Sequence, residues 1–230
     1  MNQTNINELL ELSRSPVAVK FQESAPEGVS RIDAAAVSGC TYWKLASEGQ
    51  TFFTEASDHF GCPIGAHTHG VDLPEETAQE LEGLVGTMVE LQYIAMEEVP
   101  GIPQLEEPFG VAVYAPLADA SFEPDVVLLS GTPFQMMLLG EAVHAAGLAS
   151  DGATVGRPTC AAIPAVMQSG RATANFGCIG NREYTGLQSD ELYFVIPGSK
   201  LNVVAEKLNT IVKANRELQS FHRGRIENQN

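Results

Sequence analysis

Apolar and polar positions change period several times along this chain, and each change marks an element. Ile6, Leu9, Leu10 and Leu12 recur at helical spacing and stop at Ser15-Pro16, which predicts a short amphipathic helix over residues 5–13. Val17-Ala18-Val19-Lys20-Phe21 alternates as a strand does. A helix is expected over Cys40–Ala46, just after Gly39, with a strand over Gln50–Thr54 behind it. Residues 74–82 place a proline and acidic side chains in one turn, the start of a solvated helix. A strand follows over Gly110–Ala115, and Asp125–Ser130 is apolar almost without interruption, as a buried central strand requires. Thr132-Pro133 then supplies an N-cap and first-turn residue for a helix that stops at Gly147.

The second half continues with a short helix over Ala161–Ser169, a strand over Ala172–Phe176 and a stronger one over Glu191–Ile196. Leu201, Val204, Leu208, Ile211 and Val212 form one stripe on a closing helix from Lys200 to about Leu218, either core or a homodimer contact. The polar tail over Arg223–Asn230 is expected to fray. Residues 58–70, punctuated by Gly61, Pro63, Gly65 and Gly70, read as a loop. The proline-rich stretch at 100–108 is the best place for a subdomain seam, but composition barely changes across it, so residues 1–230 read as one domain. Strands and helices interleave irregularly, which predicts an α+β fold, a mixed sheet layered with helices.

Composition narrows the partners. With 29 Asp and Glu against 13 Lys and Arg the chain repels phosphate backbones and anionic membranes, so nucleic acid is an unfavourable partner. No apolar stretch approaches the roughly 20 residues that span a bilayer, and no basic segment leads into an apolar run near Met1. A cytoplasmic protein is expected, which leaves a small molecule or a redox partner protein as candidate partners. In that compartment four cysteines are metal ligands, catalytic thiols or packed apolar groups sooner than two disulfides.

The cysteines carry the chemistry worth testing. Cys40, Cys62, Cys160 and Cys178 each stand beside glycine or proline, and Phe60-Gly61-Cys62 is echoed by Phe176-Gly177-Cys178. The echo suggests two related halves presenting their thiols symmetrically. Glycine next to a ligating cysteine lets backbone N–H groups point at sulfur and lets a cofactor come close. Four thiolates hold a four-iron cluster or a tetrahedral zinc. The gaps of 22, 98 and 18 residues differ from the tight runs of ordinary sites, so such a site needs the whole fold to converge. An iron–sulfur cluster on Cys40, Cys62, Cys160 and Cys178 is the leading expectation, with zinc as the alternative. The scarce cations Lys44, Arg157, Arg171 and Arg182 lie near cysteines in sequence, and Lys44 and Arg182 are the candidates to offset the charge of a cofactor. Packing of cysteine as a small hydrophobe is the plainer alternative.

Two local readings compete. His59, Cys62, His67 and His69 supply enough nitrogen and sulfur for a transition metal, although a histidine-bearing loop is more often only a loop. Alternatively Cys62 acts as a nucleophile with His59 as its base, three residues away on a turn, and Asp58 orients the ring or caps the turn that follows. Tyr42 and Trp43 read as core.

Taken in order, several segments resemble one family. These are Pro16–Phe21, the Cys40–Ala46 stretch with Trp43-Lys44-Leu45-Ala46, Asp58-His59-x-x-Cys62-Pro63-x-Gly65-Ala66, Pro124–Leu128, Cys160, Cys178-x-Gly180-Asn181-Arg182, and Asp190–Pro197. Together they resemble the DUF169 proteins of bacteria and archaea, over about residues 9–215. The resemblance implies no established reaction. It does imply that all four cysteines belong to family motifs, which favours a shared site. Asn181 stands where members often carry aspartate, and His67 and His69 do not match family positions.

Overall fold

In the computed structural model, which describes residues 5–154 and 158–229, seven strands form one sheet between two layers of helices. The α+β architecture expected from the pattern is the one observed. In chain order the elements are α1 (Asn5–Leu10), β1 (Val17–Gln22), α2 (Gly39–Ser47), β2 (Phe52–Glu55), α3 (Pro63–Thr68), α4 (Glu75–Glu90) and β3 (Val111–Pro116). There follow β4 (Val126–Gly131), α5 (Pro133–Ala145), β5 (Ser150–Thr154), α6 (Ala162–Ser169), β6 (Ala172–Asn175), α7 (Ile179–Thr185), β7 (Leu192–Pro197) and α8 (Leu201–Glu227). Short 3-10 turns at Ala56–His59 and Thr159–Ala161 precede the second and third cysteine-bearing helices.

The strand order is β2-β3-β1-β4-β7-β6-β5, antiparallel throughout except for the edge pair β5·β6. This order is symmetric about the central β1·β4 contact. Outward from it, β3 flanks β1 as β7 flanks β4, and β2 flanks β3 as β6 flanks β7. Along the chain, β1-α2-β2-α3-β3 matches β4-α6-β6-α7-β7, with α4 inserted in the first half and α5 and β5 in the second. The repeated Phe-Gly-Cys therefore falls at the same point of two topologically equivalent halves.

Alternation along the strands sorts the core into two layers. Ala18, Val127, Leu129, Phe194 and Ile196 point to the side covered by α1, α5 and α8. Val17, Val19, Val126, Leu128, Tyr193 and Val195 point to the other, where they meet Cys40, Tyr42, Trp43, Cys160 and Ile163. Tyr42 and Trp43 are core, as the sequence suggests.

Several elements differ from expectation. Residues 58–70 are not a loop but a 3-10 turn and helix α3, because Pro63 is a favourable first-turn residue and Ala66 N–H bonds Cys62 O at 2.8 Å. Helix α8 continues to Glu227 through the tail expected to fray. Helix α4 runs to Glu90 and buries none of its side chains. No helix among the described residues is long and apolar enough to cross a membrane.

Two glycines hold the sheet ends at backbone contact. A Cβ on Gly198 would stand 1.7 Å from Pro124 O, and one on Gly110 1.9 Å from Glu23 O. Gly83, on exposed α4, meets nothing within 4 Å. Gly198→Ala is expected to lower the thermal midpoint by about 2 °C or more, since relieving the clash costs on the order of 1–3 kcal/mol. Gly83→Ala is expected to leave it unchanged or raise it, because alanine is the better helix former by up to about 1 kcal/mol. Calorimetry on the two variants checks the contrast, and equal midpoints would refute the backbone-contact account.

Candidate functional site

All four cysteines lie at the starts of helical segments on the same face of the sheet. Cys40 is in the first turn of α2, where the N-cap Ser38 accepts from its N–H at 3.3 Å. Cys62 is the N-cap of α3. Cys160 sits in the 3-10 turn before α6, and Cys178 is the N-cap of α7, its sulfur accepting from Asn181 N–H at 3.4 Å. The Cys178 N–H donates to Thr159 Oγ1 at 2.5 Å, which ties the third cysteine turn to the fourth. Helix α2 packs against both α3 and α7, and α3 packs against the Thr159–Ala161 turn.

Proximity of helices is not ligation. Among the described residues no group of three or more His, Cys, Asp or Glu side chains is placed to hold a metal ion. The expected iron–sulfur cluster on Cys40, Cys62, Cys160 and Cys178 is therefore corrected, and so are the zinc alternative and the metal set of His59, Cys62, His67 and His69. The physical reason is the setting of the sulfurs. Cys40 and Cys160 are buried while Cys62 and Cys178 are half-buried, and all four are free. Burial pushes the Cys40 thiol well up, with the charge of Cys160 next and smaller effects of Cys62 and Cys178. Burial likewise pushes Cys160 up to about 12. The two inner sulfurs are thus neutral thiols that pack in the apolar layer, felt by the others only through space.

The Cys62 and His59 pair is corrected as well. His59 is fully buried, and its Nε2 pairs with Thr54 Oγ1 at 2.9 Å rather than with sulfur. Burial lowers its pKa to about 4 against a small opposing effect of Asp58, so it is a poor base near neutrality. Asp58 does not orient the ring. Its carboxylate accepts from Arg31 Nε at 3.0 Å and Nη2 at 2.9 Å, and from Glu55 N–H at 2.8 Å, which caps the 3-10 turn.

The candidate cations are occupied elsewhere. Lys44 pairs with Glu48 at 2.9 Å one turn along α2. Arg182 donates to the carbonyls of Phe176 at 2.5 Å, Gln188 at 2.7 Å and Glu191 at 3.0 Å, so it ties the segment before α7 to the loop after it. Arg171 pairs with Asp151 at 2.7 Å, and Arg157 lies outside the described residues.

Sequence reasoning undervalued Asn181. It is 2% exposed, three residues after Cys178, and neither its side-chain oxygen nor its nitrogen completes a hydrogen bond. The amide leans toward the Cys40 thiol and the Tyr193 hydroxyl, favouring their charged forms. A Cβ on Gly177, whose φ is +79°, would stand 3.0 Å from the Asn181 oxygen, so only glycine suits that turn. Trp43 Nε1 and His59 Nδ1 are further unpartnered buried atoms on this face, the former in the ring that meets Tyr193 edge-on at 5.6 Å. In the first half Gly65 takes the place of Asn181, three residues after Cys62, and a Cβ there would press on the Cys62 sulfur at 2.9 Å. A groove of about 580 Å³ opens elsewhere, beside Lys20, Asp125, Met167 and Ser199. Its single cation, Lys20, is already paired with Asp125 at 2.7 Å, and Glu123 adds a further negative charge to the lining.

Beneath α3, His59 and His69 meet edge-on with centroids 5.3 Å apart, and His69 has no hydrogen-bond partner on either nitrogen. Burial holds His69 down to about 3 and His59 at about 4, each against an ordinary 6.5. Below pH 6.5 the unfolded chain takes up protons on these rings and the folded chain does not. The stability each ring confers is present above 6.5 and is lost as pH falls toward about 4, at roughly 1.4 kcal/mol per pH unit per ring. Urea unfolding across this window is expected to show that slope, and His69→Phe, which suits the ring contact with Phe21, should remove one ring's share. The same slope in the variant would refute the assignment.

No solved structure matches. The chain is 29% identical over 217 residues to the uncharacterised protein MJ0308 of Methanocaldococcus jannaschii, spanning 90% of this chain and 92% of the relative. The model of the DUF169 family, described as "Uncharacterised ArCR", matches residues 5–207, which takes in both halves of the sheet and all four cysteines. The chain belongs to the DUF169 family.

Proposed function

We propose that the protein binds a small polar molecule on the cysteine-bearing face, between α2, α3 and α7, with Cys62 and Cys178 as the reachable sulfurs. Asn181 carries the reading. A buried amide with both polar atoms unpaired costs about 1–3 kcal/mol for each missing bond, and a ligand that offers an adjacent donor and acceptor would repay it. Trp43 Nε1 is a second donor on the same face. Lys44 and Arg182 are engaged with protein oxygens and the chain is strongly acidic, which favours a neutral ligand over an anion. Cys40 and Cys160 act as apolar wall.

Timed alkylation with iodoacetamide, read by peptide mass spectrometry, is expected to label Cys62 and Cys178 well before Cys40 and Cys160. A dialysable metabolite extract should slow the outer labelling in the wild-type protein but not in Asn181→Leu. Four equal rates, or outer rates that the extract leaves unchanged, would overturn the binding reading.

A further inference from the structure

Helix α4 is amphipathic and only partly covered: it packs on α3, and of its apolar stripe Leu81, Val85 and Met88 are half-buried and Leu84 exposed. Leu81, Leu84, Val85 and Met88 recur at i, i+3, i+4 and i+7, the spacing of one helix face, yet α4 has no buried residue and joins neither core layer. Leu84 is 39% exposed and Leu91, just past its end, 74%. A helix of this length draws most of its stability from packing such a face, so the stripe is made for a partner. Its charged positions are all acidic, Glu75, Glu76, Glu80, Glu82 and Glu90, and it lies in a stretch without a single Lys or Arg between Lys44 and Arg157.

The C-terminal half of α8 is the counterpart. Ile211 sits against the core, and Leu218, Phe221 and Ile226 continue outward with exposures of 55%, 58% and 61%. Around them stand Lys213, Arg216, Arg223 and Arg225, a large share of the chain's few cations. Arg216 touches Glu11 at 3.7 Å, with both side chains mostly exposed. Within one molecule the two stripes cannot meet. Helix α8 covers the α1 and α5 face of the sheet, whereas α4 packs on α3, on the cysteine face.

We propose that the occupant of α4 is the basic end of α8 from a second copy of this chain, and that the exchange is reciprocal in a closed dimer. Charge decides the pairing. Joining α8 to α8 would set Arg223 and Arg225 against their own kind, and α4 to α4 would do the same with glutamates, while α8 on α4 sets opposite signs around two apolar stripes. Reciprocity follows because each copy carries both faces, and a two-fold arrangement uses both and closes.

Sedimentation velocity on the full chain tests it. A dimer of twice 24.6 kDa is expected, weakened by salt. Leu218→Glu with Phe221→Glu, and separately Leu84→Glu with Val85→Glu, should each weaken dimerisation by about tenfold or more, with circular dichroism reporting that both variants stay folded. Arg223→Glu with Arg225→Glu should weaken it too, as should Glu80→Lys with Glu82→Lys, and mixing these two charge-reversed chains should restore a mixed dimer. A monomer at all concentrations, a dimer untouched by either set, a dimer lost through only one face, or failure of the mixture would each overturn the proposal. A dimer lost through only one face would indicate like-with-like pairing of that helix, and a monomer a different protein as occupant.

Discussion

The structure depends on the antiparallel contact between β1 and β4, where Val17, Ala18 and Val19 pair with Leu128, Val127 and Val126. It is the seam at which two equivalent halves become one sheet, and it spans only three residue pairs. Asp125 reinforces it from the end. Its N–H donates to Val19 O at 2.8 Å, its carboxylate accepts from Phe21 N–H at 2.8 Å and pairs with Lys20, and its own carbonyl accepts from Gly198 N–H at 2.8 Å. One residue thereby ties β1, β4 and the exit of β7, and the bare Gly198 lets the last chain pass at contact distance. Everything on the cysteine face inherits its position from this seam, because α2 and α3 hang from one half and α6 and α7 from the other.

That inheritance explains why the four thiols gather on one face without forming a ligand set. Topological equivalence fixes which helix start each cysteine occupies, but the inner pair is spent on packing against the strands and only the outer pair stays half-buried. The polar work of the face falls instead to groups that no cysteine pattern announces. Arg182 closes a loop on three carbonyls, Asp58 anchors Arg31, and Tyr42 links Ala36 to the Asp58 carbonyl by accepting at 3.0 Å and donating at 2.5 Å. The amide of Asn181 is buried beside sulfur, turned toward the Cys40 thiol and the Tyr193 hydroxyl, and completes no hydrogen bond with the rest of the protein.

Much of this was legible in the chain itself. The apolar runs of β4 and β7 and the Thr132-Pro133 start of α5 are local signals strong enough to survive tertiary context, and the Phe-Gly-Cys echo pointed to the two halves. Helix α3 was hidden because glycines, a proline and histidines read as punctuation, and α7 because its cap is a cysteine rather than an oxygen-bearing residue. Strand order was not legible, since β1 chooses β4 and β3 through contacts distant in sequence. The metal reading failed for a related reason. A loop setting and a residue type say that a sulfur can ligate, but the distance between sulfurs is set by the sheet, and the pattern along the chain carries no record of it.

The glycine at position 65 and the asparagine at position 181 have a consequence beyond packing. They are equivalent positions in the two halves, yet one offers only a crowded Cα beside sulfur and the other a full amide. A face built by near-repetition would otherwise treat both ends of a guest alike and hold it in either of two directions. With this asymmetry the face acquires a polarity, a hydrogen-bonding end and a bare end, so an unsymmetrical molecule would be held one way round.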